Sequence, residues 1–180
     1  MLRTLLSTCL AITLLCVHPT VHAEPPTEFS LESPTHDTTL KLSDLKGKVV
    51  ALHFLLKTEC PYCLKYTRTY AKAAEKDTNV VHLFIKPDSA EEIKAWAAHM
   101  DATGLKEAPV IYRDVDASLA DSYKIPSGYQ FHGQTVHFPA VVVLNDQGSE
   151  LFRYVGKNNS DRLSYADFQK RLAAAQKKDK

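Results

Sequence analysis

The chain has 180 residues, 44% of them hydrophobic and 24% charged, with a formal net charge of +1. That is enough chain for one well-packed domain and short for two. With no basic or acidic excess, it offers neither a nucleic-acid-binding surface nor a funnel for acidic ligands.

The first twenty-three residues stand apart. Met1-Leu2-Arg3 is a short basic start, Leu5 to Val17 is apolar apart from Ser and Thr, and Pro19 breaks the run before Val21-His22-Ala23. This pattern reads as a secretory signal peptide over 1–23, cleaved after Ala23. Its apolar run is shorter than the ~20 residues that cross a bilayer. The expected location is periplasmic or otherwise exported, with no stable membrane span after cleavage and a membrane tether if the signal stays on. Cys9 and Cys16 fall inside it, so the mature chain keeps Cys60 and Cys63 of the four cysteines.

Residues 24–28 read as an extended leader, and 29–176 as one domain. Phe29-Ser30-Leu31 alternates like an edge strand and Leu40-Lys41-Leu42 like another. Lys48 to Leu56 (KVVALHFLL) is a nearly continuous apolar run that suits a central strand covered on both faces. From Pro61 to Lys76, Tyr62, Tyr66, Tyr70 and Ala73 recur at helical spacing, with Pro61 acceptable in the first turn. Asn79 to Ile85 is a second apolar strand. Ser89-Ala90-Glu91-Glu92 is a capping box that opens a helix with Ile93, Trp96, Ala97 and Met100 inward and Gly104 at its end. Pro109 to Tyr112 predicts a third strand and Asp116 to Tyr123 a short helix. Ile125 to Phe138 predicts a loop rich in aromatics, His and Gly. Ala140 to Leu144 and Leu151 to Val155 form a hairpin around Asn145-Asp146-Gln147-Gly148. Ser160 opens a final amphipathic helix with Leu163, Phe168 and Leu172 inward. Strands alternating with helices predict an α/β sandwich with a largely parallel core and an antiparallel edge.

Cys60-Pro61-Tyr62-Cys63 lies between a buried strand and a helix start. A two-residue spacing closes too small a ring to staple a fold well, so the pair's value is chemical. Cys60 falls at the helix N-cap, where unpartnered N–H groups and the helix dipole favour a thiolate. Cys63, one turn in, is placed to attack a mixed disulfide on Cys60. Cys60 is therefore the candidate nucleophile and Cys63 the resolver. The alternatives are an inert buried pair or two ligands of a metal site. A structural zinc site wants four ligands and no second Cys pair exists, which leaves the six histidines of the mature chain to contribute, His132 and His137 nearest among them. No metal or other cofactor is expected beyond the Cys60–Cys63 redox pair itself.

Phe138-Pro139 precedes the AVVVL strand. Pro139 is either a plain trans proline at a strand start or a cis proline in a tight functional turn; the cis form would free the Phe138 backbone for an extended substrate segment. Tyr129, Phe131 and Phe138 form either a partner-docking surface or a small aromatic core. His53, inside the first long strand, is either a satisfied buried histidine or a proton relay behind the cysteines; the former is the simpler reading.

Taken together, Phe29-Ser30-Leu31, Leu42-Ser43-Asp44-Leu45-Lys46-Gly47-Lys48-Val49-Val50, Cys60-Pro61-Tyr62-Cys63, Phe138-Pro139-Ala140, Asp146-Gln147-Gly148 and Tyr154-Val155-Gly156 resemble the thioredoxin-like disulfide oxidoreductases. The likeness is strongest to their exported redoxin branch of cytochrome-maturation and thiol–disulfide interchange proteins. It implies a thioredoxin fold: a three-layer α/β/α sandwich on a mixed central sheet, with an inserted strand–helix unit and a short N-terminal strand extension. It also implies Cys60 and Cys63 as the redox couple, Pro139 as a cis proline, and Phe138, Pro139 and Tyr62 as the substrate-binding residues. The partners implied are a protein disulfide or dithiol, or a small thiol, and an upstream thiol-redox partner. Glu59 and Pro61 tune the couple. Trp usually precedes the first cysteine of this family, and the Glu59 carboxylate found here disfavours the Cys60 thiolate. Pro61-Tyr62 resembles the glutaredoxin dipeptide, which implies a potential of roughly −200 to −230 mV. These opposite hints leave the direction of electron flow open.

Leu45 to Leu56 is also similar to the alkyl hydroperoxide reductase and thiol-specific antioxidant peroxiredoxins. Those carry a Pro-x-x-x-Thr/Ser-x-x-Cys loop. Counted back from Cys60, its Pro and Thr positions are His53 and Lys57; from Cys63 they are Leu56 and Cys60. Neither register matches. A thiol peroxidase is thus the first alternative to disulfide exchange, and a Cys/His metallochaperone using Cys60, Cys63 and His137 the second.

Overall fold

The computed structural model describes residues 28–179 apart from 58–59 and 102–104. The expected signal peptide, the leader before Glu28, Glu59 and Gly104 lie outside the described residues.

In chain order the elements are β1 (Ser30–Ser33), β2 (Thr38–Lys41), β3 (Val49–Phe54), α1 (Pro61–Ala74), β4 (Val80–Lys86), α2 (Ala90–Asp101) and β5 (Ile111–Arg113). There follow α3 (Ser118–Ser122), β6 (Ser127–Phe131), β7 (Gln134–His137), β8 (Ala140–Leu144), β9 (Glu150–Val155) and α4 (Tyr165–Gln176). Seven strands form one sheet in the order β2-β1-β5-β4-β3-β8-β9. β3, β4 and β5 run parallel, and β8, β9, β1 and β2 add antiparallel neighbours on either side. No helix among the described residues is long and apolar enough to cross a membrane.

The sheet is covered on both faces because its central strands β3 and β8 are apolar at every position but His53. Val50 to Phe54 and all of β8 are buried, the pattern of strands with no solvent side. Alternate residues feed two cores. Ala51, Val80, Phe84, Val141 and Val143 pack with Tyr70 of α1, Trp96 and Met100 of α2 and Phe168 of α4. Val50, Leu52, Leu83, Ile85, Val142 and Leu144 pack with Leu42, Leu45, Leu119 and Tyr123. The three-layer sandwich on a mixed sheet is the expected thioredoxin fold. In α2, Ser89 and Glu92 make the reciprocal capping bonds anticipated from the sequence, Glu92 N to Ser89 Oγ at 3.3 Å and Ser89 N to Glu92 Oε2 at 2.9 Å.

Two expectations are corrected. The segment 125–138 is not a loop throughout: β6 and β7 pair as a separate two-stranded ribbon, turned at His132 and Gly133 with positive φ. Its Tyr129/Phe131 alternation is a strand pattern, which its His and Gly content obscured. The last helix opens later than Ser160. Ser164 caps it, accepting from Asp167 N at 3.1 Å, whereas Ser160 donates its N–H and its hydroxyl to Asn158 Oδ1 at 3.0 and 2.8 Å. An Asn side chain that satisfies nearby backbone donors competes with helix initiation and postpones it.

The loop between β9 and α4 is consequently well tied. Asn158 Oδ1 also accepts Asp161 N at 3.1 Å, the Asp161 carboxylate accepts Lys157 N at 2.9 Å and the Tyr154 hydroxyl, and the buried Tyr70 hydroxyl donates to Leu163 O at 3.0 Å. Gly156 donates its N–H to Pro139 O at 2.8 Å. A Cβ on Gly156 would stand 2.1 Å from Asp161 O and 3.0 Å from Pro139 Cγ. The Asp161 carbonyl, a backbone atom, cannot yield cheaply. Gly156→Ala is therefore expected to lower stability by about 1–3 kcal/mol, as overpacking does, measured as a reduced urea midpoint at unchanged slope.

Candidate active site

Cys60 ends the turn that leaves β3 and serves as the N-cap of α1, with extended backbone and Pro61 in the first helical position. Its N–H donates to Lys57 O at 3.3 Å, and its carbonyl accepts Cys63 N at 3.1 Å. The Cys63 N–H also donates to the Cys60 sulfur at 3.2 Å, so the side chain caps the helix as Ser or Asp does elsewhere. Cys63 follows one turn in. Both are free thiols, and both are buried, at 1% and 0% exposure. The N-cap position expected for Cys60 is the one it holds.

The two sulfurs ionise differently. Cys60 is lowered to about 6, chiefly because the Cys63 thiol donates a hydrogen bond to it; the Arg162 charge and the Cys63 N–H add to this against the opposing effect of burial. Cys63 is pushed well above the ordinary thiol range, first by burial and then by donating to Cys60. One sulfur is thus a thiolate at neutral pH and the other holds its proton.

Arg162 is the residue that sequence reasoning missed. One guanidinium nitrogen, Nη2, lies 3.2 Å from the Cys63 sulfur and 3.4 Å from that of Cys60. The tied loop places it there, with Asp161 anchored on one side and Leu163 buried on the other. Nothing in the local spelling Asn-Ser-Asp-Arg-Leu marks it, since the contact spans about a hundred residues of chain. Lys86 was missed too, though an apolar strand that ends in Lys-Pro-Asp carried a signal. Its ammonium is fully buried, donates to Leu56 O at 2.6 Å, pairs with Asp88 at 3.1 Å and sits 4.5 Å over the Trp96 ring. Its charge favours the Cys63 thiolate, though less than Arg162 does.

Tyr62, between the two cysteines in the chain, is 45% exposed, beside exposed Pro61. Pro139 is buried and lines a small cavity with Tyr66 and with Arg162, the residue that faces both sulfurs. The cis expectation is corrected: no peptide bond among the described residues is cis, and Pro139 is a trans proline ahead of β8, where no ladder donor is needed. The expected free backbone at Phe138 is corrected with it. Phe138 N donates to Pro126 O at 2.8 Å and its carbonyl accepts the His137 ring N–H at 2.7 Å. The Phe138 ring rests on Tyr129 at 5.3 Å, and Phe131 and Val136 belong to the same core as the cysteines. The aromatics form a small core rather than an open surface. His132 is exposed at the ribbon turn and His137 is buried against Phe54. No group of three or more His, Cys, Asp or Glu among the described residues is arranged to hold a metal. Glu59 lies outside the described residues.

A mixed α/β sandwich with an acidic cysteine at a helix N-cap and a protonated one a turn behind defines a thioredoxin-like redoxin. Residues 23–149 match the model of the AhpC/TSA family, most of the chain, and the protein belongs to that family. No curated protein matches in sequence. Among solved structures, a secreted Mycobacterium tuberculosis disulfide oxidoreductase homologous to Escherichia coli DsbE is similar, with TM-score 0.60, 17% identity, and coverage of 82% of this chain and 96% of that one. The reduced 2-Cys peroxiredoxin of Plasmodium vivax gives TM-score 0.67, 20% identity and coverage of 87% and 97%. The yeast mitochondrial 1-Cys peroxiredoxin gives 0.73, 14%, and 87% and 76%. At these identities the likeness establishes the fold.

Three outcomes follow. Thiol alkylation at Cys60 should accelerate as pH rises through about 6 and then level off, because only the thiolate reacts. In Arg162→Met the midpoint should move up by roughly one pH unit or more, since a paired positive charge favours the anion. Lys86→Met should remove the buried cation that faces the Asp88 carboxylate, at a cost of about 3–5 kcal/mol in denaturant unfolding, the scale of breaking a buried ion pair.

Proposed function

We propose that this protein is an exported thiol:disulfide oxidoreductase that exchanges disulfides with protein or small-thiol partners. Cys60 attacks a partner disulfide and forms a mixed disulfide; Cys63 then attacks the Cys60 sulfur, releasing the partner's thiolate and closing the Cys60–Cys63 disulfide. An upstream thiol partner reopens it in the reducing direction, or the same steps run backwards as an oxidant. The electrons reside in the sulfur pair, so the cycle uses no prosthetic group. The observation that carries this reading is the split ionisation of two sulfurs under one guanidinium, with Cys60 near 6 and Cys63 far above it. Tyr62, between the two cysteines in the chain and exposed, is the side chain offered to a partner, with buried Pro139 supporting the site. Export rests on the 1–23 segment, and recovery from a periplasmic fraction of a chain beginning at Glu24 checks it.

Family membership favours a second reading, thiol peroxidase, and a guanidinium beside a thiolate suits a peroxide as well. Against it, the positions that would hold the peroxiredoxin Pro and Thr are His53 and Lys57. His53 is fully buried in the sheet and bonded to Tyr66 and His82.

Incubation of the reduced protein with a model peptide disulfide separates the readings. Cys63→Ser is expected to accumulate a mixed disulfide at Cys60 detectable by mass, Cys60→Ser to form none, and the wild type to turn over. Exchange retained in Cys60→Ser refutes the assignment. Stopped-flow oxidation by hydrogen peroxide is expected at the rate of an ordinary thiolate, and a rate orders of magnitude above it would establish the peroxidase instead.

A further inference from the structure

A thiolate is charged and a disulfide is not, so a cation beside a cysteine pair tells the two redox states apart. A group that binds one state better than the other shifts the equilibrium toward the state it binds.

In the dithiol form three contacts converge on the sulfurs. Arg162 Nη2 stands 3.2 Å from the Cys63 sulfur and 3.4 Å from that of Cys60, and the Cys63 N–H donates to the Cys60 sulfur at 3.2 Å. Each is a donor aimed at an anion. The two sulfurs are the hydrogen-bond partners of the guanidinium among the described residues, and Arg162 Nε is buried with none. The neighbouring Asp161 carboxylate is taken by the Tyr154 hydroxyl and Lys157 N. Lys86, fully buried, brings a second positive charge to bear on Cys63. Once Cys60 and Cys63 are joined, neither sulfur carries charge and the guanidinium has no sulfur anion to face.

We infer that Arg162 poises the Cys60–Cys63 couple as an oxidant: the guanidinium binds the reduced pair in preference to the disulfide, so the protein passes its disulfide to partner dithiols. The inference rests on the exchange reading above and gives that exchange a direction.

The steps balance as follows. A partner thiolate attacks the Cys60 sulfur; the Cys60–Cys63 bond breaks, and its electron pair passes to Cys63, which takes up a proton from water. The partner's second thiolate attacks the partner sulfur of the mixed disulfide, and Cys60 leaves with that bond's electron pair. The partner is oxidised by two electrons and the protein reduced by two. Of the partner's two thiol protons, the equivalent of one ends on Cys63 and the other stays in water, because Cys60 remains a thiolate at neutral pH. A disulfide of more positive potential then restores the Cys60–Cys63 bond.

The asymmetry of the sulfurs steers the mixed disulfide the same way. Cys60, lowered to about 6, is a better leaving group than an ordinary partner thiol at ~8.5. The competing collapse, which expels the partner, needs Cys63 to lose a proton that burial, the largest cause, holds well above the ordinary thiol range. Other groups near the site keep one charge through neutral pH. Tyr66 of α1 and His137 of β7 feel the Arg162 charge, but burial keeps the first protonated and the second neutral. Asp161 stays a carboxylate, held by the Tyr154 hydroxyl and Lys157 N.

The test equilibrates the wild type, Arg162→Met and Arg162→Lys with glutathione buffers of graded ratio, and counts protein disulfide by alkylation and mass. Arg162→Met is expected to favour the disulfide on the order of tenfold more than the wild type, a potential about 30 mV lower. Arg162→Lys should fall between them, since it keeps the charge and loses the fork. In a second arm the disulfide form of the wild type meets an equal amount of a dithiol peptide in weak buffer at pH 7. The peptide is expected to gain the disulfide, with about one proton released for each one transferred. An equal or higher potential in Arg162→Met overturns the role of Arg162. A disulfide that stays on the wild-type protein, with the mixed disulfide still detected, overturns the oxidant direction and leaves exchange standing. No mixed disulfide with either the dithiol or the disulfide peptide overturns the exchange reading, and this inference with it.

Discussion

One guanidinium facing two sulfurs is the contact on which the rest of the structure turns. Arg162 reaches across about a hundred residues of chain to stand within 3.4 Å of both Cys60 and Cys63. A charge so placed favours thiolate at whichever sulfur loses its proton more easily, and the helix geometry decides which. The N-cap position gives Cys60 the backbone N–H of Cys63, and the thiol of Cys63 makes the principal hydrogen bond. The resulting asymmetry follows from a helix start, a cation and burial acting together.

Holding an arginine at that distance requires a rigid loop. Gly156 passes against Asp161 and Pro139, where no side chain fits, and Asn158, Asp161 and the Tyr70 hydroxyl then hold the loop. Pro139 thus bears on the site by packing. Its trans peptide and the occupied backbone of Phe138 make this end of β8 a support for the arginine loop as well as a wall of the site. Beneath the pair, Lys86 and Asp88 are a buried ion pair closed by a carbonyl bond and an aromatic face. Such pairs add little net stability but are costly to break.

Family membership and chemistry are different statements here. The AhpC/TSA match covers residues 23–149 and the similar structures include both peroxiredoxins and a DsbE homologue. One sheet and one strand-to-helix corner serve both chemistries, so the fold does not choose between them. What differs from the peroxiredoxins lies just before the cysteines, where this chain has His53, in β3, and Lys57 instead of Pro and Thr.

By itself the sequence determined what depends on neighbours along the chain. The buried strand Val49–Phe54, the helix that opens at Pro61 with Cys60 as its cap, the Ser89–Glu92 capping box and the Ala140–Val155 hairpin are local patterns, because periodicity and caps act over a few residues. His53 was legible as an anomaly within an apolar strand, though its partners were not. Tertiary structure alone decided what brings distant segments together: Arg162 over the sulfurs, Lys86 against Leu56 O, Tyr66 and His82 on either side of His53, and the ribbon of β6 and β7 packed into the core. Such contacts leave no mark in spacing, because a hydrogen bond or an ion pair across a fold depends on where two chain segments meet and on no property of either segment alone.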